Sequence, residues 1–147
     1  MKNLLRKFAI TLSTFLLISC SVNNEEAFTI IGKWGMVSGA ISNPDGTTNR
    51  YDKLSSGNFY QIIEFQKDGT LIRTTFPDYI KSYGIYTFNN ITNELSYKFD
   101  GDRYYSPAIV QIIDNDEMVI TTNYGTNIGR ITQYFEKTNY PHLNKVL

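Results

Sequence analysis

From Phe28 onward the chain alternates short runs of β-branched and aromatic residues with clusters of Gly, Asn, Asp and Pro. No stretch there repeats apolar residues at helical spacing. The pattern predicts eight strands, over residues 31–41, 58–66, 70–76, 82–89, 94–99, 104–113, 117–123 and 128–137. Asp68-Gly69 between two apolar runs is the strongest hairpin signal, because a two-residue turn needs residues that tolerate positive φ. Further turns are expected at 90–93, 100–102, 114–116 and 125–127, and Pro107 predicts an irregular start to the sixth strand. Apolar residues recur at alternate positions: Phe59, Ile63 and Phe65; Tyr86 and Phe88; Leu95, Tyr97 and Phe99; Met118 and Ile120. These are expected inside, with Glu64, Gln66, Thr87, Ser96 and Lys98 facing water. In the sixth strand Val110 and Ile112 compete with Ile109 and Ile113, which leaves its face open.

Strands joined by short turns predict an all-β fold, an eight-stranded up-and-down antiparallel barrel, since closure removes exposed sheet edges. At this strand number the interior holds packed side chains or one small ligand. A membrane-spanning barrel would need an apolar outer band, and here the outward positions include Glu64, Lys98 and Gln111.

The start of the chain follows a different pattern. Lys2, Arg6 and Lys7 precede an apolar run from Phe8 to Ile18, broken by Thr11, Ser13 and Thr14. The run is shorter than the ~20 residues of a spanning helix. Its basic, apolar, small-residue order is that of a cleaved signal helix over residues 1–19. It ends Leu17-Ile18-Ser19-Cys20, which resembles the lipobox of bacterial lipoproteins, where cleavage precedes a Cys that becomes lipidated. The implied organisation is a signal at 1–19, a polar tether at 20–29, a barrel at 30–137 and a tail at 138–147. The implied partner is a membrane, held through the lipid on Cys20, and the implied place is the cell envelope as an outer-membrane lipoprotein. Glu25 and Glu26 resemble an export signal of surface lipoproteins of the Bacteroidota; a solvated linker accounts for them equally well.

Charge looks different once the chain is divided at Cys20. The 147 residues hold 14 Lys+Arg and 14 Asp+Glu, but the first 19 carry three bases and no acid, leaving 11 bases against 14 acids. An acidic body argues against a nucleic-acid partner. One Cys and one His exclude a disulfide framework and a Cys/His zinc cluster. His142, after Pro141 in the tail, has no evident nucleophile or orienting acid. The acidic run 114–117 lacks the ligand spacing of a Ca²⁺ loop, and no phosphate-cradling glycine loop occurs. The expectation is a protein without catalysis, metal or cofactor.

Ile31-Gly32-Lys33-Trp34 opens the first strand, Phe65-Gln66-Lys67-Asp68-Gly69-Thr70 forms a hairpin, and Gly84-Ile85-Tyr86 follows. In this order the three resemble the Gly-x-Trp, Phe-x-x-Asp-Gly-Thr and Gly-x-Tyr motifs of lipocalin-like lipoproteins of the Bacteroidota, over about residues 30–137. The lipocalin Thr-Asp-Tyr turn is missing, with Asp114-Asn115-Asp116 near its place, so the resemblance is to the looser lipocalin-like group. It implies that Gly32 and Trp34 close one end of the barrel and that an Arg of the last strand, here Arg130, packs over the Trp. It also implies a small apolar or amphipathic ligand in the barrel mouth.

Within that frame, the polar segment 42–57 is either a lid that turns Tyr51 or Arg50 toward a ligand or a variable surface loop. The connection 77–81 falls at the same end. Arg73 faces inward if Leu71 does, where it could take a carboxylate bidentately; if Ile72 and Phe76 face inward instead, Arg73 is solvated. Tyr86 and Tyr97 complete the candidate ligand-binding set. Arg130, Thr132 and Tyr134 share a face and loosely resemble the carboxylate cradle of fatty-acid carriers. The alternative function is a filled barrel acting as a scaffold, whose loops or exposed tyrosines contact another envelope protein.

Overall fold

A computed structural model describes residues 28–55, 57–124 and 129–139. The strands are β1 (Gly32–Ser42), β2 (Thr48–Tyr51), β3 (Gln61–Phe65), β4 (Thr70–Thr75), β5 (Ile80–Asn89), β6 (Glu94–Phe99), β7 (Ser106–Ile112), β8 (Glu117–Asn123) and β9 (Arg130–Lys137). From β3 to β9 each strand pairs antiparallel with the next, and β9 returns to β1. The expected eight-stranded up-and-down barrel is therefore present, and the described residues contain no helix. Among the described residues every strand and every buried core residue falls between Ile30 and Lys137, so the barrel carries its own hydrophobic core.

Local chemistry sets the turns. Between β3 and β4, Gly69 takes φ 86° and its N–H donates to the Gln66 carbonyl at 3.1 Å. Asp68 Oδ1 accepts the Thr70 backbone N–H at 2.9 Å, which holds the Asp68 carboxyl below the usual carboxylate range. Between β7 and β8, Asp114 Oδ1 accepts the N–H groups of Asp116 and Glu117, each at 2.8 Å. The acidic run thus spends a carboxylate on capping its own turn, and among the described residues no acidic, His or Cys group is placed to hold a metal.

Within the segment 42–57, residues 42–51 form a hairpin against β1. Asn43-Pro44-Asp45-Gly46-Thr47 turns the chain, with the Asn43 N–H on the Thr47 carbonyl at 2.8 Å, and β2 pairs back onto β1 from Gly39↔Tyr51 to Ser42↔Thr48. The four residues of β2 are polar or exposed, so no alternation marks them as a strand; the Pro-Asp-Gly turn was the available signal. One edge of β1 is consequently shared, by β3 over Gly32–Met36 and by β2 over Gly39–Ser42.

A register shift against β9 between Met36 and Ser38 makes Val37 an extra residue in β1. The bulge changes which side chains face inward, from Trp34 and Met36 below it to Gly39 and Ile41 above it. Elsewhere the core-facing positions alternate, while Ile62 and Val119 are buried outside the core cluster. Ile63 and Phe65, Leu95 and Phe99, and Met118 and Ile120 enter the core, with Tyr86, Phe88 and Tyr97 packed against it. β7 resolves in favour of Ala108 and Val110, leaving Ile109 and Ile113 exposed. Phe59 departs from expectation: a Cβ on Gly35 would meet its ring, and Gly35 lies between the inward Trp34 and Met36, so Phe59 covers the outer face. Phe28 packs against the core, although it falls in the expected tether of residues 20–29. The signal segment, Cys20, residues 125–128 and His142 lie outside the described residues.

The two barrel ends differ in composition. One holds the β1 start, the β3–β4, β5–β6 and β7–β8 turns and the end of β9. The other, the mouth, holds β2, the β4–β5 turn, the β6–β7 loop and the start of β9.

Candidate functional site: the barrel mouth

The closed end is filled. Trp34 is 0% exposed, its indole N–H donates to the Ile30 carbonyl at 2.8 Å, and Phe28 lies 6.0 Å away, centroid to centroid. Gly32 stands at φ +132°, a conformation that side chains with a Cβ rarely adopt. Arg130 does not pack here. It pairs with Ser42 at the mouth end and is exposed, because alternation from the inward Phe135 puts position 130 outside. The cation over the indole is Lys137, which pairs with Trp34 and holds its Nζ 5.6 Å from the ring centroid. The same alternation turns Arg130 and Tyr134 outward, so they form no internal cradle.

Tyr86 also belongs to the closed end. Its ring meets Phe65 edge-on at 4.9 Å and its hydroxyl donates to the Gln66 carbonyl at 2.8 Å. Burial, and then the nearby Asp68 charge, push its pKa up. Tyr86 braces the β3–β4 turn and is withdrawn from the ligand-binding set.

Above this floor the inward side chains change character. Leu71 is buried and faces in, so Arg73, two residues along β4, faces in as well. The Arg73 guanidinium carbon stands 4.0 Å from the Phe99 ring centroid. One Arg73 Nη is 3.4 Å from Ser82 Oγ, a weak bond, and the buried Nε has no partner among the described residues. Gln61 and Gln133, inward on β3 and β9, place their amide nitrogens 3.4 and 3.1 Å from Met36 Sδ. A thioether is a poor acceptor, so both amides keep donor capacity. The Tyr97 hydroxyl lies 3.2 Å from Thr122 Oγ1, and Thr122 is 1% exposed.

Accessibility grades along the inner wall, with Tyr86, Phe88 and Ile112 half-buried at the closed end and Met36, Phe99 and Thr122 buried toward the mouth. Trp34, Phe65, Leu71, Leu95, Val110, Met118 and Phe135 are fully buried, whereas the inward Gln61, Arg73, Ser82, Tyr97, Ile131 and Gln133 remain partly accessible. The mouth half of the barrel thus carries polar inward side chains above an apolar floor.

Aromatic side chains edge the mouth. Tyr51, opposite Gly39, comes within 3.6 Å of where a Gly39 Cβ would stand, on the same side as Met36, and its ring meets Tyr60 at 5.8 Å. Tyr79, at φ 55°, sets its ring edge-on to Phe76 at 5.1 Å. Arg50, one residue before Tyr51, is exposed opposite Ala40. Sequence reasoning thus reached Arg73, Tyr51 and Tyr97, and the structure brings all three to one end. It missed Gln61, Gln133 and Thr122; parity with Ile63, Phe135 and Ile120 was the signal that places them inside.

Burial pushes the Tyr97 phenol up to about 12, against its hydrogen bond to Thr122, which acts the other way. An unfolded chain releases that proton near pH 10, while the fold still holds it. Stability contributed by Tyr97 is thus complete below pH 10 and is lost as pH rises from 10 toward 12, by ~2–3 kcal/mol in all. Urea midpoints measured across this window should fall more steeply for the native chain than for Tyr97→Phe. Parallel slopes would show that Tyr97 is not protected.

No protein-family model matches the chain, and no curated protein matches it in sequence. Function therefore has to be argued from the barrel mouth itself.

Proposed function

We propose that the protein is a lipocalin-like lipoprotein, anchored to the outer membrane through Cys20, whose barrel mouth holds a small amphipathic molecule. The observation that carries this reading is the set of inward, half-buried polar side chains Gln61, Arg73, Tyr97 and Gln133 above the fully buried Leu71, Leu95, Val110 and Met118. A protein needing only a scaffold has no use for an inward arginine whose Nε lacks a partner among the described residues, because a buried polar group without a hydrogen bond costs free energy. Anchoring is supported by the Leu-Ile-Ser-Cys ending of the signal. No catalysis is part of the proposal.

The test has two arms. Cells fed a labelled fatty acid should transfer label to the native protein and not to Cys20→Ser, which should also leave the membrane fraction. Titration of the isotope-labelled barrel with octanoate should shift the amide resonances around Arg73, Tyr97 and Gln133 and leave those around Trp34 and Leu95 in place. Shifts confined to the closed end, or none, would overturn the mouth.

A second reading, a module that contacts another envelope protein, is favoured by one observation. Tyr83 and Ile85 on β5 and Ile109 on β7 are exposed on the outer barrel wall. Tyr83 lies beside Ile72 of β4, and exposed apolar surface of this kind marks interaction sites, although Lys98 and Glu94 of β6 separate Ile85 from Ile109. This reading takes over if octanoate never reaches the mouth while the outer wall recruits a partner.

A further inference from the structure

The inner wall of the mouth carries a single kind of charge. Among the described residues the bases near this end other than Arg73 lie outside the inner wall: Arg50 opposite Ala40, Lys81 beside Thr74, Arg130 beside Ser42, and the exposed Arg103 of the β6–β7 loop. No carboxylate pairs with Arg73 among the described residues; the ion pair found there joins Lys53 to Glu136 at 2.9 Å. Phe99 takes one face of the guanidinium, at 4.0 Å, and so keeps water from it. What remains is the edge: Nε, buried and unpartnered among the described residues, beside an Nη with one weak bond to Ser82. A planar edge with two adjacent N–H donors matches the two oxygens of a carboxylate, and bonds of this charge-assisted kind are short and strong.

We propose that Arg73 is the anion anchor of the mouth, receiving one carboxylate through Nε–H and an Nη–H, with the ligand's apolar part directed outward to the aromatic rim. This rests on the mouth reading above and names its ligand class: a monocarboxylic amphiphile, bound head inward. Two observations set the class and the direction. One guanidinium with no second inward base among the described residues balances one negative charge, which a carboxylate carries and a phosphate monoester exceeds. The floor below, with Leu71, Leu95, Val110 and Met118 fully buried, leaves no place for an apolar tail pointing down. Toward the rim the situation is reversed. Tyr79 and Ile80, in and just after the β4–β5 turn that follows Arg73, are 52% and 59% exposed, and the Tyr51–Tyr60 and Phe76–Tyr79 pairs lie at the same end. A tail laid against them covers apolar surface that the protein alone leaves in water.

The experiment uses residues 21–147, which contain the whole barrel and its core, and calorimetric titration with three probes of equal chain length: octanoate, methyl octanoate and octyl phosphate. Octanoate should bind the native barrel roughly tenfold to hundredfold more tightly than the methyl ester, the range expected of hydrogen bonds to a charged group. Octyl phosphate should bind no better than octanoate. Arg73→Met should bring octanoate and the ester to equal affinity, and Arg73→Lys, which keeps the charge but loses the fork, should restore part of the preference. Equal binding of acid and ester by the native barrel overturns the anchor while leaving the mouth reading intact, and does so without any variant. A phosphate that outcompetes octanoate overturns the assignment to a carboxylate. Failure of all three probes to bind a barrel with a native circular dichroism spectrum overturns the mouth reading and the anchor with it.

Discussion

Replacing Trp34 with alanine should lower the unfolding free energy by ~3–5 kcal/mol, the range for deleting a large aromatic from a core. The side chain is wholly buried, touches Phe28, and gives its indole N–H to the Ile30 carbonyl at 2.8 Å. Alanine removes the packing, opens a cavity and strands that carbonyl together. Trp34→Phe separates these effects, because it keeps most of the volume but still leaves the Ile30 carbonyl without its donor, at a cost of ~1–3 kcal/mol. Lys137 contributes less, since an exposed cation over a ring is worth ~0.5–1 kcal/mol. Trp34 is the sole tryptophan, so unfolding in urea has to be followed by far-ultraviolet circular dichroism. A midpoint that stays in place in Trp34→Ala would show that the closed end does not depend on the plug.

Gly84→Ala should be costly for a different reason. A Cβ at this position would stand 2.3 Å from the Lys98 carbonyl oxygen and 3.0 Å from Phe99 Cα. Neither atom belongs to a side chain that can swing aside, so β5 and β6 must part where Gly84 faces Phe99. Overpacking of this kind costs ~1–3 kcal/mol and sometimes more, and a clash with backbone belongs at the upper end. The effect should also reach the mouth, because Phe99 supports the Arg73 guanidinium. The expected result is a destabilisation of ~3 kcal/mol with weakened octanoate binding in the fraction that folds. Ile85→Ala, at the exposed neighbouring position, should stay within ~0.5 kcal/mol of the native chain. If Gly84→Ala behaves like Ile85→Ala, the close approach of β5 and β6 is not a constraint.

Both substitutions act on residues that the opening motifs picked out, yet the reasons became visible only with the ladder in place. The Gly-x-Trp start was legible, and so were the Asp68-Gly69 turn and two strands whose limits, 94–99 and 117–123, match β6 and β8. Those features are local. A turn is set by residues that accept positive φ, and a half-buried strand by alternation along a few positions. β2 was not legible because an exposed edge strand has no core face to pattern its sequence.

Arg73 shows where local pattern stops. β4 offers apolar residues on both parities, Leu71 on one and Ile72 on the other. The decision comes from the neighbouring strand: Phe65 pairs with Leu71 and Ile63 with Arg73, and paired residues of a ladder point to the same side. Since Phe65 and Ile63 both belong to the core, Arg73 is carried inside. Arg130 shows the converse. A motif pointed to it, and parity with Phe135 sends it outward, so Lys137 stands over the indole instead.

By itself, then, the sequence determined the all-β class, the number of barrel strands and most of the turns, because each depends on residues close together in the chain. Only the tertiary structure decided which end is plugged, that Tyr86 serves the plug, and that Arg73, Tyr97 and Gln133 share the mouth. Those outcomes depend on register across strands far apart in sequence, where a shift of one residue turns a side chain from the core to the solvent.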